Sequence, residues 1–158
     1  MAGDVFTERN HIVMGLDPVA DAFAGTVYSD VVNMEAYHHV TFLIYKGVGT
    51  TGTSTVTVQA CDNVTPDNRT AVAFKYRYMA TTDTWGALTA ATTAGFTTTA
   101  GSSEMYAIEV DAQDIVSSGY GYAQIKMVES DADPVVGAIV IILSKARYAE
   151  DVHATAIT

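Results

Sequence analysis

With 158 residues, a formal net charge of -10, 49% hydrophobic and only 16% charged residues, the chain has the size and apolar content of one folded domain and is too apolar for disorder. Its eight Lys and Arg residues are scattered, which argues against nucleic acid as a partner, because a phosphate backbone calls for clustered cations. The longest apolar run, 135–143, falls well short of the ~20 residues of a membrane-spanning helix, so no membrane partner is expected, and the lone Cys61 rules out an intrachain disulfide.

Residues 1–25 place Phe6, Ile12, Val13, Met14 and Leu16 among polar residues and break the pattern with Gly3, Gly15, Pro18 and Gly25, which reads as an extended N-terminal arm. Asp4 and Glu8 stand where a secretory signal would be basic, so the chain is expected to stay in the compartment where it is made. From residue 26 onward, short runs rich in Val, Ile, Thr, Tyr and Phe alternate with clusters of Gly, Ser, Thr, Asn and Asp, the pattern of strands and turns. Candidate strands cover 27–33, 40–45, 55–61, 72–79, 106–110, 122–128 and 135–143. Thr and Val alternate from Thr55 to Val58, and Val72, Phe74, Tyr76 and Tyr78 oppose Ala73, Lys75, Arg77 and Met79, so each of these two strands has one wet face. The run 135–143 is apolar at nearly every position and is expected to be the central strand, covered on both faces by a second sheet or by a neighbouring subunit.

Between strands, the glycines of 47–53 predict a hairpin loop, and 111–118 predicts one short helical turn with Asp111 as its N-cap. The stretch 81–103 is nearly all Thr, Ala, Gly and Ser around Trp85, Leu88 and Phe96. It either presents its aromatics to a partner or caps the domain's own core with them. The fold class is all-β: an antiparallel, jelly-roll-like β-sandwich over 26–148, with the arm at 1–25 and a C-terminal tail at 149–158.

Chemistry-bearing residues are few. His38 and His39 are neighbours on a strand and point to opposite faces, and with His11 and His153 in the arm and tail the histidines form no metal-ligand spacing. Glu109 and Asp111 lie two apart on a strand, which puts their carboxylates on one face at ~7 Å, a separation an inverting glycosidase could use. Against that, a solvated strand end or a turn is the simpler account of paired acids in an acidic chain. Glu129, Asp131 and Asp133 supply oxygens but lack the spacing and glycine of a calcium loop, and read as a turn before Pro134. No nucleophile elbow, P-loop or dinucleotide fingerprint occurs, and Asn63 and Asn68, in glycosylation-type triplets, read as loop residues. The expectation is a non-enzymatic protein with no cofactor and no metal.

The order of segments carries a further signal: Asp17-Pro18-Val19-Ala20 in the arm, then Thr26-Val27-Tyr28-Ser29-Asp30-Val31-Val32-Asn33-Met34, then His38-His39-Val40-Thr41-Phe42-Leu43-Ile44-Tyr45-Lys46-Gly47. Thr55-Val56-Thr57-Val58-Gln59-Ala60-Cys61-Asp62, Tyr106-Ala107-Ile108-Glu109-Val110-Asp111 and Gly121-Tyr122-Ala123-Gln124-Ile125 follow, and the run beginning at Val135 closes the series. This layout resembles the small capsid decoration (cement) proteins of tailed bacteriophages. The resemblance implies a virion structural protein, made in the host cytoplasm, that binds the outer surface of the major capsid protein lattice as a homotrimer and stabilises the shell. Capsid or subunit contacts are then expected at Phe6, Ile12, Val13, Met14, Leu16, Trp85 and Phe96. The competing expectations are a carbohydrate-binding β-sandwich module that stacks sugars on Trp85, Tyr120 and Tyr122, a glycosidase built on Glu109 and Asp111, and another phage head or tail structural protein.

Overall fold

The computed structural model describes residues 5–148 and 154–157; residues 1–4 of the expected arm, and 149–153 (with His153) and 158 of the expected tail, lie outside the described residues. In chain order the elements are α1 (Phe6–Arg9), β1 (His11–Val19), β2 (Thr26–Tyr28), β3 (Val32–Asn33), β4 (Tyr37–Lys46), β5 (Thr53–Cys61), β6 (Arg69–Val72), β7 (Phe74–Met79), β8 (Thr89–Ala91), β9 (Phe96–Thr97), β10 (Glu104–Asp111), α2 (Ala112–Val116), β11 (Tyr122–Asp131) and β12 (Gly137–Ala146). Every strand pairing among them is antiparallel.

One sheet runs β1-β12-β4-β10-β7-β8 and the other β2-β11-β5-β6, with β3 beside β11 and β9 beside β5. The pairs β1 with β12, β2 with β11, β4 with β10 and β5 with β6 are nested around the 62–68 turn, as in a long hairpin rolled onto itself. That nesting, split over two sheets, is the jelly roll expected from the sequence; β7 and β8 widen the first sheet beyond it. The sheets pack inner face on inner face. Phe42, Ile44, Ile108, Ile139, Ile141 and Leu143 from the first meet Val56, Val58, Ala60, Ile125 and Met127 from the second, all buried. At ~1.5–3 kcal/mol for each large side chain, this layer is the main source of stability.

Five expectations need correction. The segment 11–19 is extended, but as an edge strand in register with β12 (His11 opposite Leu143, Val13 opposite Ile141), so it is the first strand of the roll rather than a free arm. Gly15 permits this docking, because a Cβ there would come within 2.7 Å of Ile141 Cγ1. The expected single strand 72–79 is two strands in different sheets, β6 and β7, with the chain crossing at Ala73. The 47–53 stretch closes no hairpin: it carries the chain from β4 in the first sheet to β5 in the second. Finally, β12 is one strand in from the edge rather than central, and within this domain only its inner face is covered. The expected strand 27–33 is also interrupted: Ser29 leaves the ladder and its hydroxyl accepts the Ile125 N–H.

The cross-over loops are pinned by polar contacts. Asp133 accepts hydrogen bonds from the Thr51 N–H (3.0 Å) and from the backbone and hydroxyl of Thr50, which holds the 47–53 segment against the turn before Pro134. The Lys46 ammonium, fully buried, donates to Glu104 Oε2 (3.1 Å), to the Gly52 carbonyl (3.3 Å) and to the Thr99 carbonyl. Glu104 Oε1 accepts from the hydroxyls of Tyr78 (2.7 Å) and Thr99 (2.9 Å). All three ammonium protons and both carboxylate oxygens are thereby engaged, the condition for burying charge at tolerable cost.

Candidate functional site

Strand alternation gives the first sheet an outer face, and the register spells out its rows. One row is Met14, Val140, Leu43, Ala107, Arg77; the next is Ile12, Ile142, Thr41, Glu109, Lys75. A third is Ala138, Tyr45, Met105, Met79, and beyond Thr41 the last is Ser144, His39, Asp111. The face is thus apolar over β1, β12, the second half of β4 and the first part of β10, and ionic at the corner formed by the start of β4, the end of β10 and β7. Met14 is 76% exposed, Tyr45 51%, Ile12 46% and Val140 37%. Four strands at ~4.8 Å spacing and three rows at twice the ~3.3 Å rise per residue give the apolar part roughly 400 Å², within the range of the largest patch on a lone domain, which is often a docking site. Its fixed charges, Lys75 and Arg77 against Glu109 and Asp111, balance apart from His39, in a chain whose formal charge is -10.

The ionic corner is a three-residue bridge. His39 Nε2 lies 2.6 Å from Glu109 Oε2 and Nδ1 lies 2.8 Å from Asp111 Oδ1, while the Thr41 hydroxyl donates to Glu109 (2.9 Å). Carboxylates only accept, so a ring that serves both must donate from both nitrogens, which is the imidazolium form. The hydrogen bond to Glu109, followed by that to Asp111, accordingly raises the His39 pKa above its ordinary 6.5 against the opposing effect of burial. The same bonds lower Glu109 and Asp111. Beside the bridge lies an open groove of about 670 Å³ whose lining includes Lys75, Arg77, Leu88, Ala90, Asp114 and Lys145.

This geometry bears on the catalytic expectation. A glycosidase acid must stay protonated near neutrality, which takes a raised pKa; Glu109 and Asp111 are lowered and both are held by His39. Asp111 precedes the short helix α2 as expected, but its carboxylate serves His39 and makes no cap hydrogen bond. Of the expected sugar platform, Trp85 sits in the turn after β7 of the first sheet, Tyr122 lies in β11 of the second, and Tyr120 packs against the core.

The expected contact residues separate by environment. Ile12 and Met14 stand on the outer face, while Val13 is buried and Leu16 packs on the core. Phe6 is exposed on α1, and Trp85 is 39% exposed. Phe96 stacks on Tyr76 with ring centroids 3.9 Å apart and packs on Phe74 and Tyr106, so it caps the core. Leu43, Tyr45 and Met105 were not singled out as surface residues, although 40–45, like the run 135–143 that was expected to be covered on both faces, carries apolar residues at both parities, which marks a strand with two apolar faces.

No family model matches the chain, and no curated protein matches it by sequence. Among solved structures it is similar to the SPBc2 prophage-derived protein YomS (14% identity, TM-score 0.44, covering 84% of this chain and 92% of that one). It is also similar to a chain of the structure of infectious bursal disease virus, Gx strain (13% identity, TM-score 0.44, 89% of this chain and 34% of that one).

Proposed function

We propose that the protein is a non-enzymatic virion structural protein of the decoration type, which seats on the outside of a tailed-phage capsid, as a homotrimer, and stabilises the shell. The observation that supports this most is the outer face of the first sheet: a largely apolar surface of near-zero charge on an otherwise acidic domain, of the kind a partner lattice covers. The segment layout that resembles decoration proteins agrees with it.

The test is co-sedimentation of the purified protein with empty phage shells and, separately, with unassembled capsid subunits. Pelleting with shells alone is the expected result, and Met14→Asp and Tyr45→Asp should abolish it while leaving the circular dichroism spectrum and melting temperature unchanged. Val48→Asp, at a loop position 75% exposed, should bind normally. Wild-type protein that stays in the supernatant, or face variants that pellet as well as wild type, would overturn the reading. Sedimentation equilibrium returning only monomer would remove the trimer.

A further inference from the structure

The bridge at the corner of the docking face has a chemistry that structure alone does not need. It joins β4 to β10, which already pair through eight residues in unbroken register, so the sheet holds without it. What it does control is the charge of the surface. The groups around His39 are Glu109 and Asp111 on β10, Lys75 and Arg77 on β7, Asp114 on α2 and Lys145 at the end of β12. With the imidazolium present they sum to +1 (four cations, three anions); with neutral imidazole they sum to zero.

We infer that His39 is a proton-operated clamp on the docking face: the protein docks with His39 protonated between Glu109 and Asp111, and docking weakens as the proton leaves. This rests on the outer sheet face being the docking surface. When a partner covers the face, water is withdrawn from both carboxylates, whose side chains are 32% and 63% exposed in the free domain. A doubly donating ring satisfies both under the partner. A neutral ring has one N–H and leaves one carboxylate without it in a dry contact, where an unpaired charge is costly. Docking and protonation therefore favour each other, and by linkage each raises the other.

Two measurements test this. NMR titration of the His39 ring in the free protein should give a midpoint above the ordinary 6.5 that drops in Glu109→Gln; a midpoint at or below 6.5, or one indifferent to Glu109→Gln, overturns the clamp. Shell co-sedimentation across pH should show wild-type affinity falling as pH rises through that midpoint, by about tenfold for each unit by which docking raises the pKa, with His39→Gln flat over the same range. Parallel profiles for wild type and His39→Gln overturn the inference and leave the docking reading standing. No pelleting at any pH removes the docking reading and the regulation with it, whatever the titration returns.

Discussion

Lys46 and Glu104 are opposed across the first sheet, one from β4 and one from β10, and form an ion pair at 3.1 Å with side chains only 1% and 6% exposed. Removing one partner strands the other charge in the core, a loss of about 3–5 kcal/mol. Lys46→Met is expected to reach that range by urea denaturation. Because the cost lies in the stranded charge, the double variant Lys46→Met/Glu104→Leu should regain at least about 1 kcal/mol of the summed single losses. Strictly additive losses would show that the pair contributes little as a pair.

The His39 bridge makes stability depend on pH from both sides. His39 is raised above 6.5, so its contribution is complete below pH 6.5 and is lost as pH rises through the folded value. Glu109 and Asp111 are lowered from 4.5 and 3.8, so theirs is complete above pH 4.5 and is lost as pH falls through the folded values. The window between pH 4.5 and 6.5 should hold the full stabilisation. All three shifts describe one partly exposed bridge, so the total is about 1 kcal/mol. In His39→Gln the difference from wild type should shrink toward zero above the folded His39 pKa; a difference that grows with pH would refute the assignment.

Cys61 is fully buried at the end of β5, and burial, with Arg69 opposing, pushes its thiol up to about 11. A thiol reacts as its thiolate and must be reached by the reagent. Labelling by a disulfide reagent at pH 8 should therefore follow the opening of the domain, with a rate that rises steeply in subdenaturing urea. Rapid stoichiometric labelling of the native protein would contradict the burial.

What the sequence disclosed follows the range of the interaction. Strands 55–61, 106–110 and 122–128 are legible because alternation is a local signal, and each falls within a real strand. Which sheet a strand joins is set by pairing across the chain, as with His11 and Leu143, and no local pattern reports it. Val72 and Phe74 keep their alternation while the chain changes sheets at Ala73, so 72–79 reads as one strand. The site was half legible in the same way. Glu109 and Asp111 share a face by spacing alone, but His39, 70 and 72 residues away, reaches them only through the β4–β10 register.

The segment 11–19 offers the sharpest separation of folding from docking. It reads as an arm because register shifts between Met14 and Leu16 and between Leu16 and Val19 disturb its alternation, yet Val13 is 8% exposed and Met14, the next residue, 76%. Val13→Asp places a carboxylate in the core opposite Ile141 and should cost about 3 kcal/mol or more. Met14→Asp should stay within about 0.5 kcal/mol of wild type, since the side chain faces solvent. Deleting residues 1–19 removes the first strand of the roll and bares the edge of β12 with Ile141 and Leu143 behind it. The truncated protein should melt lower by about 10 °C or more, at ~2–4 °C per kcal/mol for a domain of this size. Hydrogen exchange should likewise find the β1 amides that pair with β12 protected. If the truncated domain melts within about 2 °C of the full chain, β1 is an attached arm after all and the jelly roll closes without it.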